Sequence, residues 1–459
     1  MQQARPAPTT QPRHGLSRPR ARELCDRVLS FSRAEAARVT IRSGLSGFTR
    51  VAENRITTAG GAEDVTIQVM SVFGRRVASA TTNAIDDAAL AEVVRRSEVL
   101  ARLAPEDPEY MGELGPQAIR DVGAYYASTG DLSAEDRGRA AAQAIEAARR
   151  AGLVAAGFID VQAGSRAVAT SAGAFAYHAS TGVASTLTVR TPAGDSSGWA
   201  GDEASDWGGI ENERVATEAA RKCRLWRGRR PLEPGRYTVI LEPTAAGMLM
   251  LRLMGDLNAR PADEGRSYFS RPGGGNRIGE KLFDERVTIV SDPAEPDAET
   301  ASFTGEGLPI ARTPWVVNGI LNRLAYSRFW AERQGQPPLP PPPNLIMSGG
   351  GASLEAMIQS TERGVLITRF WYIRGLNPRT LAYTGLTRDG TFLIEGGQVV
   401  RPVNNFRFNQ SLGEMLKNLE MLGQPTRVAA SENSSVGLPI VVPALKVRDF
   451  HLSSVSDAI

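Results

Sequence analysis

Imidazole is the group on which most general-base, nucleophile-activating and zinc-binding chemistry depends, and the chain has three: His14, His178 and His451. None has a second histidine four or five residues away, so no helix carries a two-imidazole metal site. His178 sits in the strand-like run AFAYHAS and His451 near the C-terminus, and both read as structural or surface histidines. The motifs HExxH, GxSxG, GxxxxGK(S/T) and CxxC are all absent. RPGGGN at 271–276 and SGGGAS at 348–353 have the glycine content of anion cradles, but no GK(S/T) follows, so both read as tight loops. The adjacent carboxylates Asp202/Glu203, Asp263/Glu264 and Asp284/Glu285 read as solvated loop pairs, and no catalytic acid or base is assigned to them.

Composition narrows the classes further. Lys+Arg 53 against Asp+Glu 50 leaves a formal charge of +3 over 459 residues, which gives no support to a nucleic-acid-binding surface. Two distant cysteines, Cys25 and Cys223, build no disulfide framework and fit the reducing cytoplasm. No run approaches the roughly 18 apolar residues of a membrane span, and the first residues lack a secretory apolar stretch. A protein of the cytoplasm, with no membrane partner, is expected.

The elements that must position any site follow from periodicity. Residues 1–20, rich in Pro, Arg, Gln and Thr without an acidic residue, predict a disordered basic tail. Residues 21–105 predict a compact α+β domain in which a helix precedes Val/Ile/Thr-rich strands and Asp86 and Asp87 start the helix DDAALAEVVRRSEVLARLA. A Pro/Gly-bearing linker leads to a central α+β domain at 118–228, whose alanine-rich helix is capped by Ser133. The joint RGRRPLEPG then opens a β-rich domain at 232–459, and QGQPPLPPPPN at 334–344 reads as a polyproline spacer. The expected class is α+β: N-terminal α/β units followed by a mostly antiparallel, barrel-like C-terminal sheet.

GFTRVAENRITTAGGAEDVTIQV and VFGRRVASATTNAIDDAALAEVVRRSEVLARLAPEDPEY resemble the N-terminal domain of the TldD/TldE (PmbA) metalloprotease family. YTVILEPTAAGMLM, NRIGEKLFDERVTIVSDP, GEGLPIARTPWVVNGIL and GVLITRFWYIRGLNPRTLAYTGLTRDGTFLIEGGQVVRPVNNFRFNQSL resemble its C-terminal domain. The resemblance runs from about residue 21 to 450 and rests on the order and spacing of these stretches, not on one motif.

In that family, as the resemblance implies, a catalytic subunit carries a His-Glu-x-x-x-His helix and a downstream cysteine, and a related partner subunit lacks them. Here the corresponding positions read Glu242-Pro243-Thr244-Ala245-Ala246-Gly247, so Glu242 and Gly247 stand at the ligand positions and Pro243 at the base position. RVAASENSSVGLPIV, where the cysteine would fall, has none. The resemblance therefore implies a metal-free subunit with no catalytic residue and no cofactor of its own. Its partners are a TldD-like chain bearing the zinc and an unfolded peptide substrate, paired through its main chain in a chamber between the subunits. Arg369, Trp371, Tyr372, Arg374 and Asn377, on ITRFWYIRGLNPRT, are the candidate peptide contacts, with interface packing as their other reading. A stand-alone peptidase of unrecognised chemistry, and a regulatory binding protein of the gyrase-modulator or toxin-antitoxin type, are the alternatives.

Overall fold

Long strands dominate the N-terminal half because β-branched and small residues alternate there over sixteen or more positions. In the computed structural model, which describes residues 7–9, 11–430, 432 and 436–456, α1 (Arg18–Ser30) leads into β1 (Ala36–Ala52), β2 (Arg55–Phe73) and β3 (Arg76–Thr82). Helices α2 (Asp87–Leu103), α3 (Ala127–Gly130) and α4 (Ala134–Arg150) follow, then β4 (Val154–Thr170), β5 (Phe175–Arg190), β6 (Ser197–Ala204) and α5 (Asn212–Leu225). The expected caps form: Asp86 accepts from Ala89 N at 3.0 Å, and Ser133 and Asp136 close a reciprocal capping box.

All six strands make one antiparallel sheet of order β3-β2-β1-β4-β5-β6. The central pairing, β1 with β4, runs from Arg38↔Thr170 to Val51↔Gly157. The segments expected as separate domains at 21–105 and 118–228 thus share a sheet. Odd-numbered positions of β4 (Ala155, Ile159, Val161, Ala163, Ala167, Ala169) all face the helices, with α4 and α5 over one end and α1 and α2 over the other.

Residues 11–17 depart from the expected solvated tail. Leu16 N donates to Ser43 Oγ, and the Leu16 carbonyl accepts from Ser165 Oγ and Tyr177 OH, each at 2.8 Å. The Leu16 side chain packs against the α1/α2 core, and Arg13 pairs with Asp131. Few apolar residues preclude an autonomous fold but not docking on hydroxyl groups that the sheet presents. Positions 1–6 and 10 of that expected tail lie outside the described residues.

The C-terminal half begins with β7 (Gly235–Leu241), α6 (Pro243–Asp256) and α7 (Ala259–Asp263). It continues through β8 (Ile289–Ser291), β9 (Thr313–Val317), β10 (Ile320–Leu321), α8 (Arg328–Gln334), β11 (Leu345–Met347), α9 (Leu354–Gln359) and β12 (Arg363–Ile367). Next come β13 (Phe370–Asn377), β14 (Ala382–Thr387), β15 (Thr391–Glu395), β16 (Gln398–Pro402), β17 (Asn405–Ser411), α10 (Leu412–Lys417) and β18 (Leu419–Leu422). β19 (Thr426–Arg427), β20 (Ile440–Val442) and β21 (Leu445–Ser456) complete the chain.

Two sheets result, one of order β10-β9-β8-β11-β20-β19 and one of order β13-β14-β17-β21-β7-β12-β15-β16, with β18 added on β21. They are antiparallel except for β11/β20 and β7/β12. Among the described residues neither closes, so the expected barrel gives way to open sheets with β13 and β16 at the edges of the larger one. Helix α6 lies in the core that both sheets share, and eight of its residues, from Ala245 to Met254, are buried. Most of the helix is apolar, and Arg252, partly exposed, marks a side that reaches a polar partner, Glu432, at 2.9 Å. The polyproline tract is fastened, since Leu339 pairs with Tyr326 and Pro340 and Pro342 are buried.

Candidate functional site

The N-terminus of α6 opens on a cavity of roughly 550 Å3 bounded by β6, α5, the 296–299 loop and the 425–428 segment. Strand β7 delivers Glu242 to this place as the N-cap of α6, with Pro243 at the first helical position, where a missing N–H costs nothing. Carboxylates outnumber cationic side chains in the lining by eight to three, so the space favours cationic groups.

Lys222, from the last turn of α5, extends its ammonium to within 2.6 Å of the Glu242 carboxylate and 3.6 Å of Glu218. Both partners of the closer pair are largely buried, the side chains being 7% and 12% exposed. One turn along α6, Gly247 is buried against Val428, Val442 and Ile440. Opposite, Arg427 donates to Glu203 Oε1 at 3.3 Å, to Ser205 Oγ at 3.1 Å and to the Asp297 carbonyl at 3.2 Å. Burial pushes the Glu203 carboxyl above its ordinary range against the pull of Arg427. Burial likewise raises Asp202, which is paired with Arg214.

These residues do not fit a zinc ion. Glu242, expected at the first ligand position, is paired with an ammonium; Pro243, expected at the base position, offers only a ring; and Gly247, expected at the second, has no space for a side chain. A protein zinc site takes at least three N, S or O donors. Among the described residues no group of three or more His, Cys, Asp or Glu side chains is arranged to hold a metal. Of the segment where a cysteine ligand would fall, Ser431 and residues 433–435 lie outside the described residues.

None of the five candidate peptide residues lines this cavity: Trp371, Tyr372, Arg374 and Asn377 are on the edge strand β13, and Arg369 immediately precedes it. Arg369 is 5% exposed; it pairs with Asp389 at 3.2 Å and lies over the Trp199 ring at 4.3 Å, facing the interior. Trp371 is half-buried between the Arg369 and Arg388 guanidinium groups. Tyr372 is 52% exposed with φ at 55°, on a bulge that interrupts the expected alternation. Arg374 lies over the Tyr372 ring at 4.0 Å and pairs with Glu432 at 3.4 Å. Asn377 ends the strand, accepting from Arg379 N at 2.9 Å.

Sequence reasoning placed Asp202/Glu203 on a solvated loop, whereas β6 carries them into the cavity wall and Glu203 is buried. It missed Lys222 and Arg427 altogether. Lys222 is followed by Cys223 in a helix whose apolar face is buried, and that proximity was the one available sign.

Residues 234–454 match the PmbA/TldA metallopeptidase C-terminal domain. Two relatives named "Metalloprotease" align at 25% identity: one from Methanothermobacter thermautotrophicus over 48% of this chain and 50% of that one, and one from Archaeoglobus fulgidus over 44% and 43%. The match spans about half the length of those relatives or less. In three dimensions the chain superposes on TldE from Thermococcus kodakarensis with a TM-score of 0.81 at 17% identity, covering 94% of this chain and 99% of the other. A putative modulator of a DNA gyrase from Thermotoga maritima gives 0.80 at 17% identity, over 94% and 100%. At such identities these likenesses establish the fold.

Proposed function

Because the chain belongs to the PmbA/TldD metallopeptidase family, with residues 234–454 as its C-terminal domain, we propose that it is the metal-free, TldE-like subunit of a two-subunit peptidase. In this reading a TldD-like partner holds the zinc, and the present chain forms part of a chamber for unfolded peptide. The observation that carries it is the Lys222–Glu242 ion pair at 2.6 Å, which puts a protein cation beside the first ligand position of the family's metal helix.

Edge strand β13 supports the peptide-binding part. An edge offers unpaired main-chain groups to an extended peptide without demanding a sequence, and Tyr372, Arg374 and Asn377 project from it exposed, with Trp371 half-buried beside them. Arg369 braces that strand from the interior. A cytoplasmic location agrees with two free, buried cysteines, and no helix among the described residues is long and apolar enough to cross a membrane.

The test is purification of the chain alone and together with a TldD-like zinc subunit. The chain alone should hold no stoichiometric transition metal and cleave no peptide; the complex should cleave unfolded peptides and lose activity to a chelator. One tightly held metal per isolated chain, or chelator-resistant activity without the partner, would overturn the reading.

A further inference from the structure

On the face of the N-terminal sheet opposite its helices, the strand registers bring three basic side chains into line. Arg42 on β1 stands directly opposite Arg166 on β4, and Arg166 directly opposite His178 on β5. Their chain neighbours Ile41, Ala167, Tyr177 and Ala179 turn the other way, into the helix-covered core. The row lines a cavity of roughly 630 Å3 between the sheet and the segments 299–301 and 436–439.

Two features of the row are unfavourable as they stand. Like charges directly opposite on adjacent strands repel, and among the described residues no carboxylate forms an ion pair with Arg42 or Arg166. The carboxylates facing the cavity are otherwise engaged: Glu299 accepts from Tyr126 OH and Ser205 Oγ, and Asp64 accepts from Val65 N. Asp121, which faces His178, is paired with Arg18. In addition, His178 is 8% exposed and its Nε2 has no hydrogen-bond partner, and the same holds for the buried Arg166 Nε and Thr300 Oγ1. Buried polar atoms are nearly always paired. Three unpartnered groups on residues that line one cavity call for a shared acceptor.

We infer that the Arg42–Arg166–His178 row is an oxyanion-binding site, taking a carboxylate or a phosphate group between the two guanidinium groups with His178 Nε2–H and Thr300 Oγ1–H as further donors. Charge-assisted hydrogen bonds to such a group are the strong kind, and guanidinium groups fit planar and tetrahedral oxyanions alike. The site shares Ser205, Glu299 and Arg427 as a common wall with the acidic cavity at α6, and its assignment does not depend on the subunit reading above.

The experiment uses the full chain in urea denaturation and calorimetric titration with three probes: inorganic phosphate, N-acetyl-dialanine, and the C-terminal amide of N-acetyl-dialanine, with sodium chloride matched for ionic strength. The wild type should gain stability and bind phosphate, the free acid, or both, and not the amide. Arg166→Gln and Arg42→Gln should each weaken that binding at least tenfold. Without anion, Arg42→Gln, at the exposed mouth, should unfold at the same urea concentration as wild type or higher, because repulsion is relieved. A response to phosphate alone identifies a phosphate ligand, and a response to the acid alone a carboxylate. No response to either anion beyond the chloride control, or equal responses in wild type and Arg42→Gln, would overturn the assignment.

Discussion

A Cβ placed on Gly247 would lie 2.5 Å from Cγ2 of Val428, closer than side-chain carbons approach in folded proteins. The space beside Gly247, the position that the resemblance aligns with a second imidazole, is therefore filled from the 425–428 segment by a valine.

That contact predicts a coupled pair of substitutions. Helix propensity alone favours Ala over Gly by about 1 kcal/mol, yet Gly247→Ala should destabilise the chain, because forcing a methyl into a filled core costs about 1–3 kcal/mol. In a Val428→Ala background the same change should be neutral or stabilising. Urea denaturation of the four chains of the cycle measures the coupling, and additive effects would show that Val428 does not set the limit.

Lys222 and Glu242 predict a second cycle. Lys222→Met leaves a carboxylate in a nearly closed site, and breaking a buried pair from one side costs about 3–5 kcal/mol. Adding Glu242→Leu should restore most of the stability, since two apolar groups need no solvation. Equal denaturation midpoints for wild type and Lys222→Met would mean that water or Arg221 compensates the carboxylate.

How much of this was legible in the sequence depends on range. Ser133 and Asp86 act on N–H groups two or three residues away, so their caps were readable from local spacing. The assignment of Glu242, Pro243 and Gly247 to metal-helix positions rests on resemblance alone. Period-2 alternation predicts a strand but not its neighbour, so nothing local signalled that β1 pairs with β4 across the linker and merges two expected domains into one sheet. The same limit hid the alignment of Arg42, Arg166 and His178, and the arrival of Lys222 at Glu242 from another helix. The open edge at β13, expected within a barrel-like sheet, depends likewise on strand order.

Burial, reinforced by the charge on Arg166, pulls the His178 pKa down to about 4, with Asp121 opposing. The folded form therefore stays neutral where the unfolded form, at the ordinary value near 6.5, takes up a proton. No stability is lost through this group above pH 6.5; between pH 6.5 and 4 the unfolded state binds the extra proton, and stability falls as pH falls, by on the order of 3 kcal/mol. His178→Gln should remove that component, making the acid limb of stability against pH shallower in anion-free buffer. Parallel acid limbs would contradict the pKa direction.

The docking of Leu16 alters the expectation for the N-terminus. A chain starting at Arg18 loses the three hydrogen bonds of Leu16 at 2.8 Å, among others, and leaves the hydroxyl of the buried Tyr177 without its acceptor. Each such loss is worth about 0.5–1.5 kcal/mol, so truncation should cost about 2–4 kcal/mol in total and lower the Tm measurably. An unchanged Tm would restore the reading of residues 11–17 as a dispensable tail.

The last prediction separates the roles of neighbouring residues on and beside β13. If an extended peptide pairs with this edge in a complex with a zinc-bearing partner, Tyr372→Ala and Arg374→Ala should lower kcat/KM for unfolded peptides. Truncating an interface hot spot costs about 2 kcal/mol or more, which corresponds to roughly thirtyfold in turnover at low substrate. Trp371→Ala should show a similar loss, with some effect on stability because its ring is held between two guanidinium groups. Arg369→Ala should behave differently: it leaves Asp389, which is 1% exposed, without its buried partner, so the principal effect falls on the denaturation midpoint. Asn377→Ala removes an acceptor from a turn and should change turnover little unless the peptide extends past Arg374. Size-exclusion chromatography beside the kinetics distinguishes loss of substrate contact from loss of the complex. Wild-type kcat/KM in Tyr372→Ala and Arg374→Ala, with the complex intact and the zinc retained, would move the peptide site away from this edge.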